Sequence, residues 1–360
     1  MKTMNFWNKK TVLKARRHRT WKQQTGIALV AVLLLVVSGT AMAAMVMSIS
    51  KSTAFTVSPF VQLQRSFYIN EGVAARVQYL ISADRSLYGS PTDIRLDNYS
   101  EYDYDRYLPD AVPHTFDYYG TLMTFVLKDA CSAVDLRGNA YQQAFRQFVN
   151  FQEEDTDMSD LVEDVTNRVT DYIDGDDVTV DDNSYEEDEY LEEMMHPLPR
   201  NGAITIREEY GFIPELKKLY PMDSDGRMSY IRLIPPEISG VTFEGNPDIF
   251  GVTDDWLYYA VGLEEDEIED LHVAVEEFHS VDRTPLSENL DEDILDKLTT
   301  YVRWNSTGAY TVVIRPATQD AEGNDLEVKV PGKRLVFTYT AQPVSGPANG
   351  IVPFYEWMWF

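Results

Sequence analysis

Cysteine is nearly missing from this chain: among 360 residues, Cys131 alone carries a thiol. One thiol closes no intramolecular bridge, forms no Cys-x-x-Cys redox pair and builds no thiolate zinc site, which excludes disulfide scaffolds and zinc ribbons. Positive charge is scarce as well. Lys and Arg number 31 against 59 Asp and Glu, a formal charge of −28, and a body this acidic is repelled by phosphate backbones, so nucleic acid is excluded as a partner. Phosphate-cradling glycine loops of the Walker or dinucleotide type are absent, as is a Gly-x-Ser-x-Gly nucleophile elbow. Carboxylates are too plentiful to single out a catalytic acid and base. No enzyme activity and no organic cofactor are expected.

What is present argues for folding. The chain is 44% hydrophobic with 22 Tyr, 16 Phe and 6 Trp, a composition that offsets the entropy of ordering. Its length predicts two domains, or one domain with a large insertion.

Charge is unevenly placed. Residues 1–26 hold eight bases and no acid, and residues 27–50, from Ile27 through Ala31 to Ser50, carry no charge at all. A helix of that length crosses the hydrocarbon layer of a bilayer, and the basic flank keeps the N-terminus cytoplasmic while the acidic body crosses. Two processing routes follow. In one, the apolar run ends in Gly39-Thr-Ala-Met-Ala43, and cleavage before Ala44 releases a secreted, soluble acidic module. In the other, cleavage after Gly26 makes Ile27 the new terminus and the helix is retained. The second route explains what comes next: Phe60, Leu63, Phe67, Ala74, Val77 and Ile81 recur at three- and four-residue spacing, the pattern of a continuing amphipathic helix. Pro59 should kink this rod rather than end it. Residues 27–83 would then span about 85 Å.

A basic leader, a glycine, an apolar stretch and an amphipathic continuation together resemble a type IV prepilin or type II secretion pseudopilin. Most members carry Glu as the fifth mature residue, whereas counting from Ile27 the fifth residue is Ala31. The branch that normally lacks this Glu is the large minor pseudopilin K of type II secretion (general secretion pathway protein K family). Further matches are colinear. Asp171-Tyr-Ile-Asp-Gly-Asp176 resembles that family's Asp-Trp-Ile-Asp-x-Asp stretch, Ser184-Tyr-Glu-Glu-Asp-Glu-Tyr190 its Gly-Ala-Glu…Tyr segment, and Pro199-Arg-Asn-Gly-Ala-Ile-Thr-Ile-Arg-Glu-Glu209 its Asn-x-x-hydrophobic-x-x-x-Glu element. Residues 262–271 resemble the helix near the end of its helical insertion, and residues 354–359 its closing strand.

The resemblance implies an α+β pseudopilin fold with a long N-terminal helix, an antiparallel sheet and an inserted all-helical domain. It implies a place at the tip of the pseudopilus with the minor pseudopilins I and J. Other pseudopilins, the inner-membrane secretion assembly and membrane lipid would be further partners. The implied setting is a single pass through the inner membrane, with the bulk of the chain periplasmic and the new terminus methylated. Asn305-Ser-Thr307 matches a glycosylation acceptor, which in a bacterial envelope protein would be fortuitous.

The residues themselves give the same outline: a leader at 1–26, the helix at 27–83, an α+β domain from 84–136 and 301–360, and a helical insertion at 137–300. Strands are predicted at 121–127, 309–315, 326–330, 334–340 and 351–360, with a hairpin loop at 318–325. Helical periodicity runs through Tyr141, Phe145, Phe148 and Val149, then Leu161, Val165, Val169 and Ile173. The apolar positions Phe60, Leu63, Phe67, Ala74 and Val77 are expected to face pseudopilins I and J.

Residues 153–193 hold 19 carboxylates against one base, Arg168, and their middle, 175–189, is expected to be a mobile loop. Calcium is the cation such a cluster selects, being hard and satisfied by six to eight oxygens. Asp174, Asp176, Asp177, Asp181, Asp182, Glu186 and Glu187 are the candidate ligands, against the alternative of a merely solvated acidic surface. No EF-hand register fits, because Asp223-Ser-Asp-Gly226 has Arg232 where the bidentate Glu should stand, and that segment reads as a turn. His272, Glu276 and His279 share a helical face and form a weaker candidate for a transition metal, and with it for a metal-dependent envelope enzyme. A half-exposed helix surface is the simpler reading of those three.

Overall fold

The computed structural model describes residues 8–89, 93–96, 106–151, 155–223, 226–232, 245–280, 283–318, 335–340 and 354–359. The chain divides into two compact units, Met1–Arg65 and Ser66–Phe360. One helix, α1 (Asn8–Tyr88), belongs to both and contains Pro59. Within the first unit, every residue of Ile27–Thr53 is exposed and the segment is long and apolar enough to cross a membrane.

The second unit is built on a five-stranded antiparallel sheet. Its strands are β1 (Asp110–Tyr118), β2 (Thr121–Asp129), β5 (Ala309–Pro316), β6 (Leu335–Thr340) and β7 (Phe354–Trp359), in the order β1-β2-β5-β6-β7. A short parallel pair, β3 (Val134–Asp135) with β4 (Ile231–Arg232), stands apart. Because side chains alternate across a strand, register lines up the apolar residues of one face in rows. One row runs Phe125, Ile314, Leu335, Trp359, and the next Leu127, Val312, Phe337, Trp357. Onto this face α1 lays Val73, Ala74, Val77 and Ile81, all buried. Four residues at this spacing lie on one side of a helix, and their close approach is helped by Gly72, where a Cβ would meet the Tyr118 hydroxyl at 2.1 Å.

The stretch between β2 and β5 is mainly helical: α2 (Ala140–Arg146), α3 (Thr156–Ile173), α4 (Glu187–Glu192), α5 (Leu216–Leu219), α6 (Asp254–Trp256), α7 (Glu265–His279), α8 (Leu286–Asn289) and α9 (Glu292–Tyr301). It has its own core, in which Tyr141, Phe145, Phe148, Val165, Val169, Tyr172, Trp256 and Phe278 are buried. Local signals start these helices where expected. Asp155 caps α3 by accepting from Met158 N at 3.0 Å, and Glu267 accepts from Glu264 N at 2.8 Å at the start of α7 while pairing with Lys297 of α9 at 2.7 Å.

This helical stretch leaves and re-enters the sheet at one point. Asp129, 2% exposed at the end of β2, accepts from Cys131 N (2.8 Å), Thr307 N (2.6 Å), Thr307 Oγ1 (2.7 Å) and Ser306 Oγ (3.1 Å), with Arg303 Nη2 at 3.4 Å. The apparent glycosylation acceptor thus serves as a clasp: Ser306 and Thr307 donate to this carboxylate. Nearby, Gly251 passes so close to the Ser132 carbonyl that a Cβ would lie 2.1 Å from it.

Sequence periodicity locates β2, β5, β6 and β7, while the strand expected at 326–330 and nearly all of the loop at 318–325 lie outside the described residues. It does not locate β1, because Pro113 and His114 interrupt the apolar alternation. An edge strand tolerates that proline, and the register shift between Asp110 and Pro113 absorbs it.

Asp129→Ala is expected to cost about 3–5 kcal/mol, since it removes a buried acceptor from several donors at once. Thermal unfolding of the detergent-solubilised chain measures this, and a loss below about 1 kcal/mol would show that the clasp is dispensable.

Candidate functional site

The end of α3 and the start of α4 bring three carboxylates together. α3 turns Val162, Val165, Val169 and Tyr172 inward, and on the same helix this places Asp171 next to Tyr172 with no exposure at all. Asp174 is the C-cap of α3 and Glu186 the N-cap of α4. One oxygen from each of Asp171, Asp174 and Glu186 lies within 4.8 Å of the others. The connecting segment is pinned rather than loose. Val180 N donates to both Asp171 oxygens at 3.2 and 3.3 Å, Arg168 Nε holds the Asn183 carbonyl at 3.0 Å, and Tyr190 tucks its ring beside Tyr172. Within the loop expected at 175–189, residues 175–178 and 180–183 are exposed, while Ser184 and Glu186 are buried, as is Tyr190 just beyond it, where the Tyr172 and Tyr190 rings meet the helical core.

The electrostatics of the cluster are unfavourable without a counter-charge. Neither oxygen of Glu186, 3% exposed, has a hydrogen-bond partner, nor does Asp174 Oδ1. Burial, reinforced by the charges of Asp171, Asp174, Asp176 and Asp177, pushes the Glu186 carboxyl up to about 7. Burial raises Asp171 and Asp174 too, with their acidic neighbours adding to it. Asp171 and Asp174 also sit at the C-terminal end of α3, where the helix dipole disfavours negative charge and favours a cation. Orphaned buried carboxylate oxygens at such a place suit a hard cation with oxygen ligands, which is the chemistry of calcium.

Of the seven acids singled out from sequence, Asp174 and Glu186 belong to this cluster. Asp176, Asp177, Asp181, Asp182 and Glu187 are exposed, and none is part of the three-carboxylate group. Asp171, the third member of the cluster, was not singled out from sequence. Its signal was the helical register of α3, which puts residue 171 beside the inward-facing Tyr172 rather than in the loop.

Other candidates separate. His272 Nε2 meets Asp254 Oδ1 at 2.9 Å, whereas His279 stacks on Phe250, so the shared helical face does not make a three-ligand site. Asp223 accepts from Gly226 N through its carbonyl and from Arg227 N through its side chain, both at 2.9 Å, which makes the segment a turn. Arg232 is buried and reaches Gly245 O and Asp135.

In the apolar helix, Ile27, Ala31 and Ser50 are exposed, and Gly26 is helical. Ser38, Thr40 and Thr53 return their hydroxyls to the Leu35, Val37 and Ile49 carbonyls at 3.0, 2.9 and 2.8 Å. The stripe expected to face partners requires a correction. Ala74 and Val77 are 2% and 0% exposed because the sheet of their own unit covers them. Phe67 is half-buried, edge-on to Trp359 at 4.5 Å, Leu63 is half-buried, and Phe60 is exposed. On the part of α1 in the second unit, the exposed large side chains are Tyr68, Tyr79 and Leu87.

The architecture is that of an α+β protein: an apolar N-terminal helix whose later turns cover an antiparallel sheet, with helices inserted between two neighbouring strands. No family model matches the chain, and no curated protein matches it. Among solved structures, similarity extends to a chain of the GspK-GspI-GspJ complex from the enterotoxigenic Escherichia coli type 2 secretion system, at 13% sequence identity and a TM-score of 0.44, covering 82% of this chain and 98% of that one.

Glu186→Gln should stabilise the metal-free protein by about 1–2 kcal/mol, because it removes a buried, unpaired charge and supplies donors to Asp171 and Asp174. Thermal melting in chelator measures the effect. A lower melting temperature would mean that the Glu186 carboxylate is satisfied in a way its surroundings do not provide for.

Proposed function

We propose that this chain is a minor pseudopilin of the K type, held in the inner membrane by the helix from Ile27 and placed at the tip of a type II secretion pseudopilus. The observation that carries the reading is α1 itself: one helix contains both a fully exposed apolar span, Ile27–Thr53, and the turns from Val73 to Ile81 that complete the core of a sheet. A cleaved signal peptide gives no reason for such continuity, whereas a retained anchor does. The colinear motifs from Asp171 to Glu209 support the same reading.

Ala31 has a physical meaning here. A carboxylate in the bilayer centre costs about 2.5–3.5 kcal/mol on insertion scales unless it is paired. A first subunit, with none above it to supply a partner amine, does better without one. The periplasmic part then joins the minor pseudopilins I and J and, through them, other pseudopilins and the inner-membrane assembly. With Ala74 and Val77 buried at home, the face of α1 offered to those partners is the one bearing Tyr68 and Tyr79. In this reading Asp171, Asp174 and Glu186 hold calcium, with Asp176 and Asp177 adding negative potential near it. The cation would neutralise the cluster and lock α4 onto α3.

The mature chain is expected to begin at Ile27, and Gly26→Val should block maturation, as read by N-terminal sequencing of membrane-extracted protein. A start at Ala44 would replace the pseudopilin reading with that of a secreted, soluble, acidic calcium-binding module.

Calcium at about 100 times its dissociation constant should stabilise the native chain by about 2.7 kcal/mol, seen as a raised melting temperature that Glu186→Gln abolishes. Equal melting in calcium and in chelator would leave a solvated acidic surface.

A further inference from the structure

A second site lies away from the acidic cluster. The inward face of β5, with Val312 and Ile314, is covered by α1, so the alternating residues Thr311 and Val313 point to the other side of the sheet. There, between the sheet and residues 205–232 of the helical stretch, is a cavity of about 450 Å³, in the size range of small-ligand pockets. Its lining is unusual for a chain of net charge −28: Lys128, Arg207, Arg227 and Arg232 contribute to it, with Val313 of β5 and Met358 of β7 as an apolar wall.

Three polar atoms at this cavity are buried and have no hydrogen-bond partner: Arg232 Nε, Ser229 Oγ and Glu208 Oε2. Arg232 is 3% exposed, and its other nitrogens make only long contacts, to Gly245 O at 3.2 Å, Asp135 Oδ2 at 3.4 Å and Cys131 O at 3.5 Å. Glu208 is different, because its Oε1 accepts from Arg207 Nε at 3.1 Å and Arg227 Nε at 3.2 Å, so only the second oxygen is left over. A buried polar group without a partner is costly, and these three have distinct needs. Arg232 Nε requires an acceptor, Glu208 Oε2 requires a donor, and the Ser229 hydroxyl takes either.

Inorganic phosphate would bring three or four charged or acceptor oxygens beside Glu208 and Asp223, where only one acceptor is wanted. A peptide end offers both functions one residue apart: its carboxylate accepts from a guanidinium and a hydroxyl, and its backbone N–H donates to a carboxylate. We propose that the cavity between the sheet and residues 205–232 binds the carboxyl end of a short extended peptide. The terminal carboxylate is taken by Arg232 and Ser229, a backbone N–H by Glu208, and an apolar side chain lies against Val313 and Met358. The site is independent of the calcium cluster and of the pseudopilin reading, since it rests on residues that neither uses.

The test is calorimetric titration of the detergent-solubilised full chain with acetyl-Ala-Ala-Phe carrying a free carboxylate, and with the same tripeptide as its amide. Saturable binding of the acid is expected, with the amide weaker by at least about tenfold, the effect of losing a charge-assisted hydrogen bond. Ser229→Ala and Arg232→Lys should each weaken the acid by about tenfold without changing the amide. If Arg232→Lys does not fold, Ser229→Ala and the comparison of acid with amide on the unaltered chain still decide. Equal affinity for acid and amide, or no saturable binding of either, would overturn the proposal and leave a water-filled cleft.

Discussion

The second unit depends on one buried carboxylate. Asp129 ends β2 and at the same time receives the backbone and side chain of Thr307, which leads into β5. A sheet whose adjacent strands are separated by a long helical stretch must fix both ends of that stretch, and several donors on one carboxylate do so at a single place. Arg303 adds the remaining tie, donating to the Cys131 carbonyl at 3.0 Å. With the ends fixed, β2 and β5 can pair residue for residue from Asp129 to Met123. Only then do the rows of apolar side chains form the surface that α1 covers.

Elsewhere charge is used in the opposite sense. At Asp129 the acceptor is saturated with donors, whereas the α3 and α4 cluster gathers carboxylates that lack them. The first arrangement is complete in the folded chain and holds it together. In the proposed reading calcium completes the second, which would couple the folding of α4 to a ligand. The cavity under the sheet is a third case, in which an unpaired donor, Arg232 Nε, an unpaired acceptor, Glu208 Oε2, and the Ser229 hydroxyl stand together. These three polar environments share one unit: the first is satisfied within the chain, and the other two leave buried polar atoms without partners among the described residues.

Much of this was legible in the sequence, and the gaps have physical causes. An uncharged stretch followed by three- and four-residue apolar spacing specifies a long helix, since length and periodicity are local properties. What covers the apolar face is not local. Val77 and Ala74 read as surface awaiting a partner, because the strands that bury them lie far away in sequence. Likewise, the acid-rich stretch announced cation chemistry through composition, but whether an acid is a ligand depends on burial, which the helical register of α3 decides for Asp171. β1 was hidden by Pro113 and His114, which an edge strand tolerates. The cavity residues are scattered over β2, β5, β7 and residues 205–232, and no single window of sequence contains them.

The strand order carries a consequence for biogenesis. A chain made from its N-terminus forms α1 first and the β1 and β2 hairpin soon after, yet β5 and β6, which place Val312, Ile314, Leu335 and Phe337 in the same core as Val73, Val77 and Ile81, follow only after the whole helical stretch. During that interval the apolar side of α1 has only β1 and β2 to cover it, and pairing across so long a separation is slow. The helical stretch, with a core of its own, can condense while the sheet waits. The last elements to be made therefore close the first, and a nascent molecule stays open along α1 until β5 and β6 have been added.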